Sequence, residues 1–225
     1  MTDVTQFFNE QQVLYRKLVS HDHLGHAEFF RALARLFEER FDRPVRLLDL
    51  GCGDASVAAQ LPFGSYEGVD RSEAALDEAR KTMQGRDARF SLGDLLSRAS
   101  GDLREVDVVL ASCSVHHLSR DEKVEFLKRL ARGLSPGACL AMLDVLRREG
   151  ESREEYLQRF FAYTRREWAS LTEREHELVE EHMGTSDFPE PLSFWQKAAP
   201  EAGFARLETV REDPHRSQTL LAFWR

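Results

Sequence analysis

Cysteine is scarce in this 225-residue chain. Cys52, Cys113 and Cys139 are odd in number, far apart and without C-x-x-C spacing, which argues against a disulfide framework or a zinc knuckle. Long apolar runs are missing as well. None approaches the roughly 20 residues that span a bilayer, so no membrane partner is expected. The opening stretch MTDVTQFFNEQQ has neither a basic start nor an apolar run. It does not read as a signal peptide, and cytoplasmic location is the default. Positive charge is in deficit, with 31 Lys and Arg against 39 Asp and Glu and a net charge of −8. Phosphate contacts need a basic surface, so no nucleic-acid partner is expected. Internal repeats and low-complexity tracts are also lacking.

What remains is the composition of a globular protein, 42% hydrophobic and 31% charged, outside the range of disordered chains. The length suits one α/β domain with an added lid, or two small domains. Residues 5–41 read as mostly helix with a break near SHDHLGH (20–26), and Phe30, Leu33, Ala34, Phe37 and Phe41 recur at helical spacing. After Pro44 the apolar run VRLLDLG reads as strand, followed by a tight turn and a helix. The alternation continues through SYEGVD (65–70), a helix capped by Ser72, ARFSLGD (88–94) and VDVVLASCS (106–114). A Ser119–Glu122 capping box then opens a helix, and ACLAMLDVL (138–146) is a fifth strand. Such alternation predicts a parallel sheet with helices on both faces. Residues 147–198 break it with a long polar, helix-rich stretch, and FARLETVRED and SQTLLAFWR read as two antiparallel strands.

The predicted fold is α/β: a seven-stranded, mostly parallel, doubly wound sheet with an antiparallel terminal strand. Four parts make it up. These are an N-terminal helical cap (1–43), a Rossmann-like core (44–146), a helical insertion that would cover an acceptor site (147–198), and the terminal strands (199–225).

The turn LLDLGCGDAS (47–56) carries the chemistry. Gly51 and Gly53 permit a tight turn and close backbone approach. Asp70 ends the next strand, 21 residues after Asp49, where an acid can accept both ribose hydroxyls. The third position of a dinucleotide fingerprint is Ser56, and Asp49 and Asp54 would repel a pyrophosphate. A ligand with cationic groups is favoured.

This turn resembles motif I of the class I S-adenosylmethionine-dependent methyltransferases. YEGVD, SLGDLL and VDVVLASCSVHHLS are similar to their second, third and fourth motifs, and the likeness runs over roughly residues 45–146. The resemblance implies S-adenosylmethionine as cofactor. It places Asp49, Gly51 and Gly53 at the methionine end, Asp70 at the ribose and Arg71 beside the adenine. Asp94 would accept from the adenine amino group, with Leu95 packing or donating its N–H there. Ser112, Cys113 and Ser114 would lie by the sulfonium, and Tyr15 matches a tyrosine that touches the methionine end in relatives. Cys52 is counted among the cofactor-binding residues, although its thiol, like that of Cys113, reads as a small core group. Ala55 stands where a third glycine often sits.

The fourth motif reads SCSVHH rather than NPPY, which disfavours adenine and glutamine as acceptors. The implied activity is methyl transfer to a small-molecule acceptor. The alternatives are transfer or cyclisation of the aminocarboxypropyl group, or cofactor binding without catalysis. His116 and His117 are candidate bases, His117 being nearer the loop tip. In SHDHLGH, His23 and His26 are candidate acceptor-side residues of a lid, with Asp22 as a candidate N-cap. A metal there would lack further ligands, and no metal is assigned. The Tyr156, Phe160 and Tyr163 stripe reads as lid core, acceptor pocket or both. Oligomeric state and acceptor identity stay open.

Overall fold

The computed structural model describes residues 12–215 and 217–225. Two helices lead in, α1 (Gln12–Ser20) and α2 (His26–Arg40). The core follows as β1 (Val45–Leu50), β2 (Phe63–Asp70), α3 (Glu73–Thr82), β3 (Ala88–Leu92), a short α4 (Leu95–Arg98), β4 (Val108–Ser112), α5 (Arg120–Gly133) and β5 (Cys139–Val145). Three helices, α6 (Arg153–Glu167), α7 (Glu173–Ser186) and α8 (Leu192–Ala202), precede β6 (Arg206–Asp213) and β7 (Gln218–Trp224).

The seven strands lie in the order β3-β2-β1-β4-β5-β7-β6. β1 to β5 pair in parallel, and β7 runs antiparallel between β5 and β6. The order reverses at β1, between β2 and β4. Ligands of open α/β sheets bind in the crevice at the carboxyl ends of the strands at such a point.

Alternation along the central strands fills two cores. Leu140 and Met142 of β5 join Phe126, Leu127 and Leu130 of α5 and Trp195 of α8 on one face. Cys139, Ala141 and Leu143 join Phe29, Leu33 and Phe37 of α2 and Leu76 and Ala79 of α3 on the other. Every residue of β5 and β7 is buried, which explains why both read as nearly continuous apolar runs.

A third cluster joins Leu14 and Leu18 of α1 to Tyr156, Leu157 and Phe160 of α6, Trp168, and Val179 and Met183 of α7. The aromatic stripe of α6 is therefore mostly core between α6, α1 and α7, with Tyr156 fully buried. Lys17 pairs with Glu175 at 2.8 Å across the same seam. No helix among the described residues is long and apolar enough to cross a membrane.

Most capping expectations hold. The Ser72 side chain accepts from Ala75 N–H, and the Ser119–Glu122 capping box is complete. Two local expectations fail. The helix expected after the Gly51–Gly53 turn is only a single 3₁₀ turn, Ala58–Gln60. Pro62 restricts Leu61 and β2 begins at Phe63, so no room is left for an α-helix. The N-cap of α2 is Gly25, in the left-handed region at φ 65, not Asp22. The Asp22 carboxylate instead accepts from Ala27 N–H at 3.3 Å.

Candidate functional site

A cavity of ≈ 540 Å³ opens at the carboxyl ends of β1, β2 and β4. One end is lined by Gly51, Gly53, Asp54, Asp70, Arg71, Asp94, Leu95 and Ser112, and the other by His116, His117, Phe160, Trp168, His182, Met183 and Asp187. The topology brings these segments together from across the chain.

At the first end the β1–β2 turn wraps around Asp70. Asp70 Oδ2 accepts from Gly53 N–H and Oδ1 from Ser72 N–H, both at 2.9 Å. The Arg71 N–H bonds this carboxylate as well, and of its roughly four lone-pair sites at least one stays open. Burial raises the Asp70 pKa, against the stabilising backbone N–H groups of Ser72 and Gly53. Gly51 has φ 79, and a Cβ there would lie 2.8 Å from Ser114 Cβ. Gly53 has φ 54, and a Cβ there meets nothing within 4 Å. The loop thus presents bare backbone to the cavity. Asp94 caps α4, its Oδ1 accepting from Ser97 N–H at 2.9 Å and its Oδ2 from the Ser97 hydroxyl at 2.6 Å.

Two expected cofactor residues are placed differently. Asp49 is buried and does not line the cavity: its Oδ2 accepts from the Tyr66 hydroxyl at 2.7 Å. Burial lifts its pKa to about 7 despite that hydrogen bond, with Asp70 adding to the rise. Cys52 also lies off the wall, its Sγ 2.9 Å from where a Cβ on Gly68 would stand. Both residues support the loop from behind. Tyr15 lies on α1, but its side chain falls outside the described residues.

The other end centres on β5. Asp144 is 1% exposed. Its Oδ2 accepts from the N–H of Val115 at 2.9 Å and of His116 at 3.0 Å, and its Oδ1 pairs with His116 Nδ1. His116 Nε2 lies 3.7 Å from Asp187 Oδ1. Burial works against the imidazolium of His116, but Asp144 and Asp187 outweigh it and hold its pKa up at about 9. Burial and the neighbouring His116 depress His117 well below the usual range and His182 to about 4. The 186–188 segment is zipped to the β4–α5 turn. Phe188 N–H donates to the His116 carbonyl at 2.8 Å, and the buried Lys123 donates to the Leu118 and Phe188 carbonyls.

The histidines of SHDHLGH separate. His23 lies in the turn before α2, binds Ser170 Oγ through Nε2 at 2.6 Å and stacks on Trp168. His26 opens α2, is buried, and sits 3.6 Å from Cys113 Sγ. They do not share a helix face, and neither lines the cavity. Asp144, His182 and Asp187 are the site residues that sequence reading missed. One signal was available: Asp144 is the lone acid within the apolar run ACLAMLDVL.

Residues 47–137 match the family model described as "Methyltransferase domain". A trans-aconitate 2-methyltransferase from Methylobacterium nodulans is 36% identical over 106 residues, covering 44% of this chain and 38% of that protein. A carboxy-S-adenosyl-L-methionine synthase from Idiomarina loihiensis is 20% identical over 70% of this chain and 69% of its own. The chain thus spans well under half the length of the first of these relatives. Among solved structures, magnesium protoporphyrin IX methyltransferase from Synechocystis with bound SAH superposes with a TM-score of 0.68 at 19% identity, over 100% of this chain and 99% of that one. The apo form of the methyltransferase SibL superposes with a TM-score of 0.64 at 18% identity, over 95% of this chain and 58% of that one. In its core, residues 47–137, this chain is thus similar to methyltransferase domains, and its whole sheet has the fold of solved S-adenosylmethionine-dependent methyltransferases.

Proposed function

We propose that this chain is an S-adenosylmethionine-dependent methyltransferase acting on a small-molecule acceptor. The observation that carries the reading is the two-ended cavity. One wall is a bare glycine turn around a carboxylate, and the other is an apolar and imidazole-lined chamber under the helical lid. Sites for small ligands have this character, mostly apolar with a few convergent polar groups.

The residues fit the cofactor. Asp70, whose carboxylate lines the cavity and still has acceptor capacity, would take the ribose hydroxyls. Gly51 and Gly53 would lie along the methionine portion, and Arg71, Asp94 and Leu95 would frame the adenine. Asp54 and Asp70 on the wall disfavour a pyrophosphate, and the lack of an α-helix after the turn removes the helix N-terminus that dinucleotide sites use. When bound, S-adenosylmethionine supplies a methyl group on a sulfonium. The chain's contribution is to orient the acceptor and exclude water, the main requirements of an in-line displacement. Phe160, Trp168 and Met183 would pack the acceptor's apolar part. His116 and His117 would meet its polar group.

The test is incubation with S-adenosylmethionine and a panel of hydroxyl, carboxyl, amine and thiol acceptors, read by mass spectrometry. Methyl transfer releases S-adenosylhomocysteine, whereas aminocarboxypropyl chemistry releases methylthioadenosine. Tight cofactor binding with neither product would favour a binding protein.

A further inference from the structure

Cofactor binding leaves one buried group of side chains unused. Around Asp187 Oδ1 stand His117 Nδ1 at 3.5 Å, His116 Nε2 at 3.7 Å and His182 Nε2 at 3.9 Å. These separations exceed hydrogen-bond lengths. Asp187 is 4% exposed, and its Oδ1 has no hydrogen-bond partner among the described residues. One ligand atom from each of His116, His117 and Asp187 lies within 4.8 Å of the others. Donors on a tetrahedral ion with bonds of about 2.0–2.1 Å stand about 3.4 Å apart. The cluster is therefore spaced only slightly wider than the donors of a metal site.

We propose that His116, His117 and Asp187, with His182 as a fourth ligand, bind a divalent transition-metal ion of the zinc class at the acceptor end of the cavity. The surroundings have the form of a metal site's supporting layer. Asp144 Oδ1 pairs with His116 Nδ1, which directs that ring's Nε2 toward Asp187. A carboxylate behind a ligating histidine fixes its tautomer and raises its basicity. The Ser186 carbonyl accepts from His117 Nδ1 at 3.2 Å and fixes the orientation of that ring. Arg153 donates to the Asp187 carbonyl at 2.7 Å and holds the segment in place. An imidazole-rich donor set suits zinc, cobalt or iron and not magnesium or calcium, which take oxygen ligands.

All four ligands line the same cavity as Gly51 and Asp70. Resting on the methyltransferase reading, the ion would face the acceptor and select one that presents an oxygen donor, a hydroxyl or a carboxylate. The metal site itself stands without that reading.

The test uses untagged, chelator-stripped protein titrated with Zn²⁺ by calorimetry and with Co²⁺ by visible absorption. One Zn²⁺ per chain is expected, with the intense d–d bands of a four-coordinate Co²⁺ site. Asp187→Asn and His182→Gln should each weaken Zn²⁺ binding at least tenfold, and His21→Ala, on the exposed turn, should leave it unchanged. Absence of saturable binding to the wild-type protein, or binding that both variants keep and His21→Ala removes, overturns the proposal. S-adenosylhomocysteine affinity, measured in chelator, separates the two readings: if it persists while Zn²⁺ binding is absent, the metal site alone fails.

Discussion

Asp144 on β5 and His116 after β4 are joined through both backbone and side chain. One carboxylate oxygen takes the N–H groups of Val115 and His116, and the other faces the His116 ring and takes Val145 N–H at 2.8 Å. The turn that carries His116 and His117 is thus held by a single buried acid.

Asp144→Ala would leave three backbone N–H groups buried without that acceptor. Each unmet donor costs about 1–3 kcal/mol, so a loss of at least about 3 kcal/mol in denaturant unfolding is expected. Asp144→Asn keeps one carbonyl acceptor and should lose less. Equal losses in the two variants, or a loss under about 0.5 kcal/mol for alanine, would contradict this role.

The two glycines of the first turn should differ in their tolerance. Gly51→Ala combines a left-handed backbone with a Cβ 2.8 Å from Ser114 Cβ, whereas Gly53→Ala has only the backbone term. That term costs about 1–2 kcal/mol. Thermal melting should show Gly51→Ala to be the more destabilised, with the larger loss of S-adenosylhomocysteine affinity. A reversed order would mean that the turn is shaped differently.

His26 sets an acid limit on stability. Burial lowers its pKa from 6.5 to about 4, against an opposing effect from Asp22. The unfolded chain then binds the proton more readily than the fold does. The contribution is full above pH 6.5 and is lost as pH falls toward about 4, amounting to up to about 3 kcal/mol. His26→Leu should flatten the stability profile in that window relative to wild type. Parallel profiles would show that the ring's protonation is not coupled to folding.

His23 ties the turn before α2 to the turn between α6 and α7 through Ser170 and Trp168. His23→Ala should lower stability by about 1 kcal/mol and leave S-adenosylhomocysteine affinity unchanged, because the ring does not line the cavity. A loss of turnover at intact cofactor affinity would show that the cap helps to shape the acceptor chamber.

Local order was legible wherever one segment carried its own signal. The β4 and β5 runs, the Ser72 and Ser119 caps and the Gly51–Gly53 turn are each written in a few adjacent residues. Asp70 on the cavity wall followed from its spacing after Asp49, and Arg71 and Asp94 from the family resemblance. What adjacent residues do not announce depends on distance or length. Asp49 carries the expected motif, yet Tyr66 from the neighbouring strand draws it behind the loop. The missing helix reflects Pro62 and the early start of β2. Asp187 and His182 come from the end of α7 and meet His116 only through the fold, with no spacing rule to announce them.

The central claim is that this cavity binds S-adenosylmethionine through Asp70. Calorimetric titration with S-adenosylhomocysteine of wild type and Asp70→Ala, with folding checked by circular dichroism, tests it most directly. The account predicts saturable one-to-one binding to wild type and at least a tenfold loss in the variant, about 1.4 kcal/mol. Absence of binding to wild type, or equal affinity in the two proteins, would contradict it.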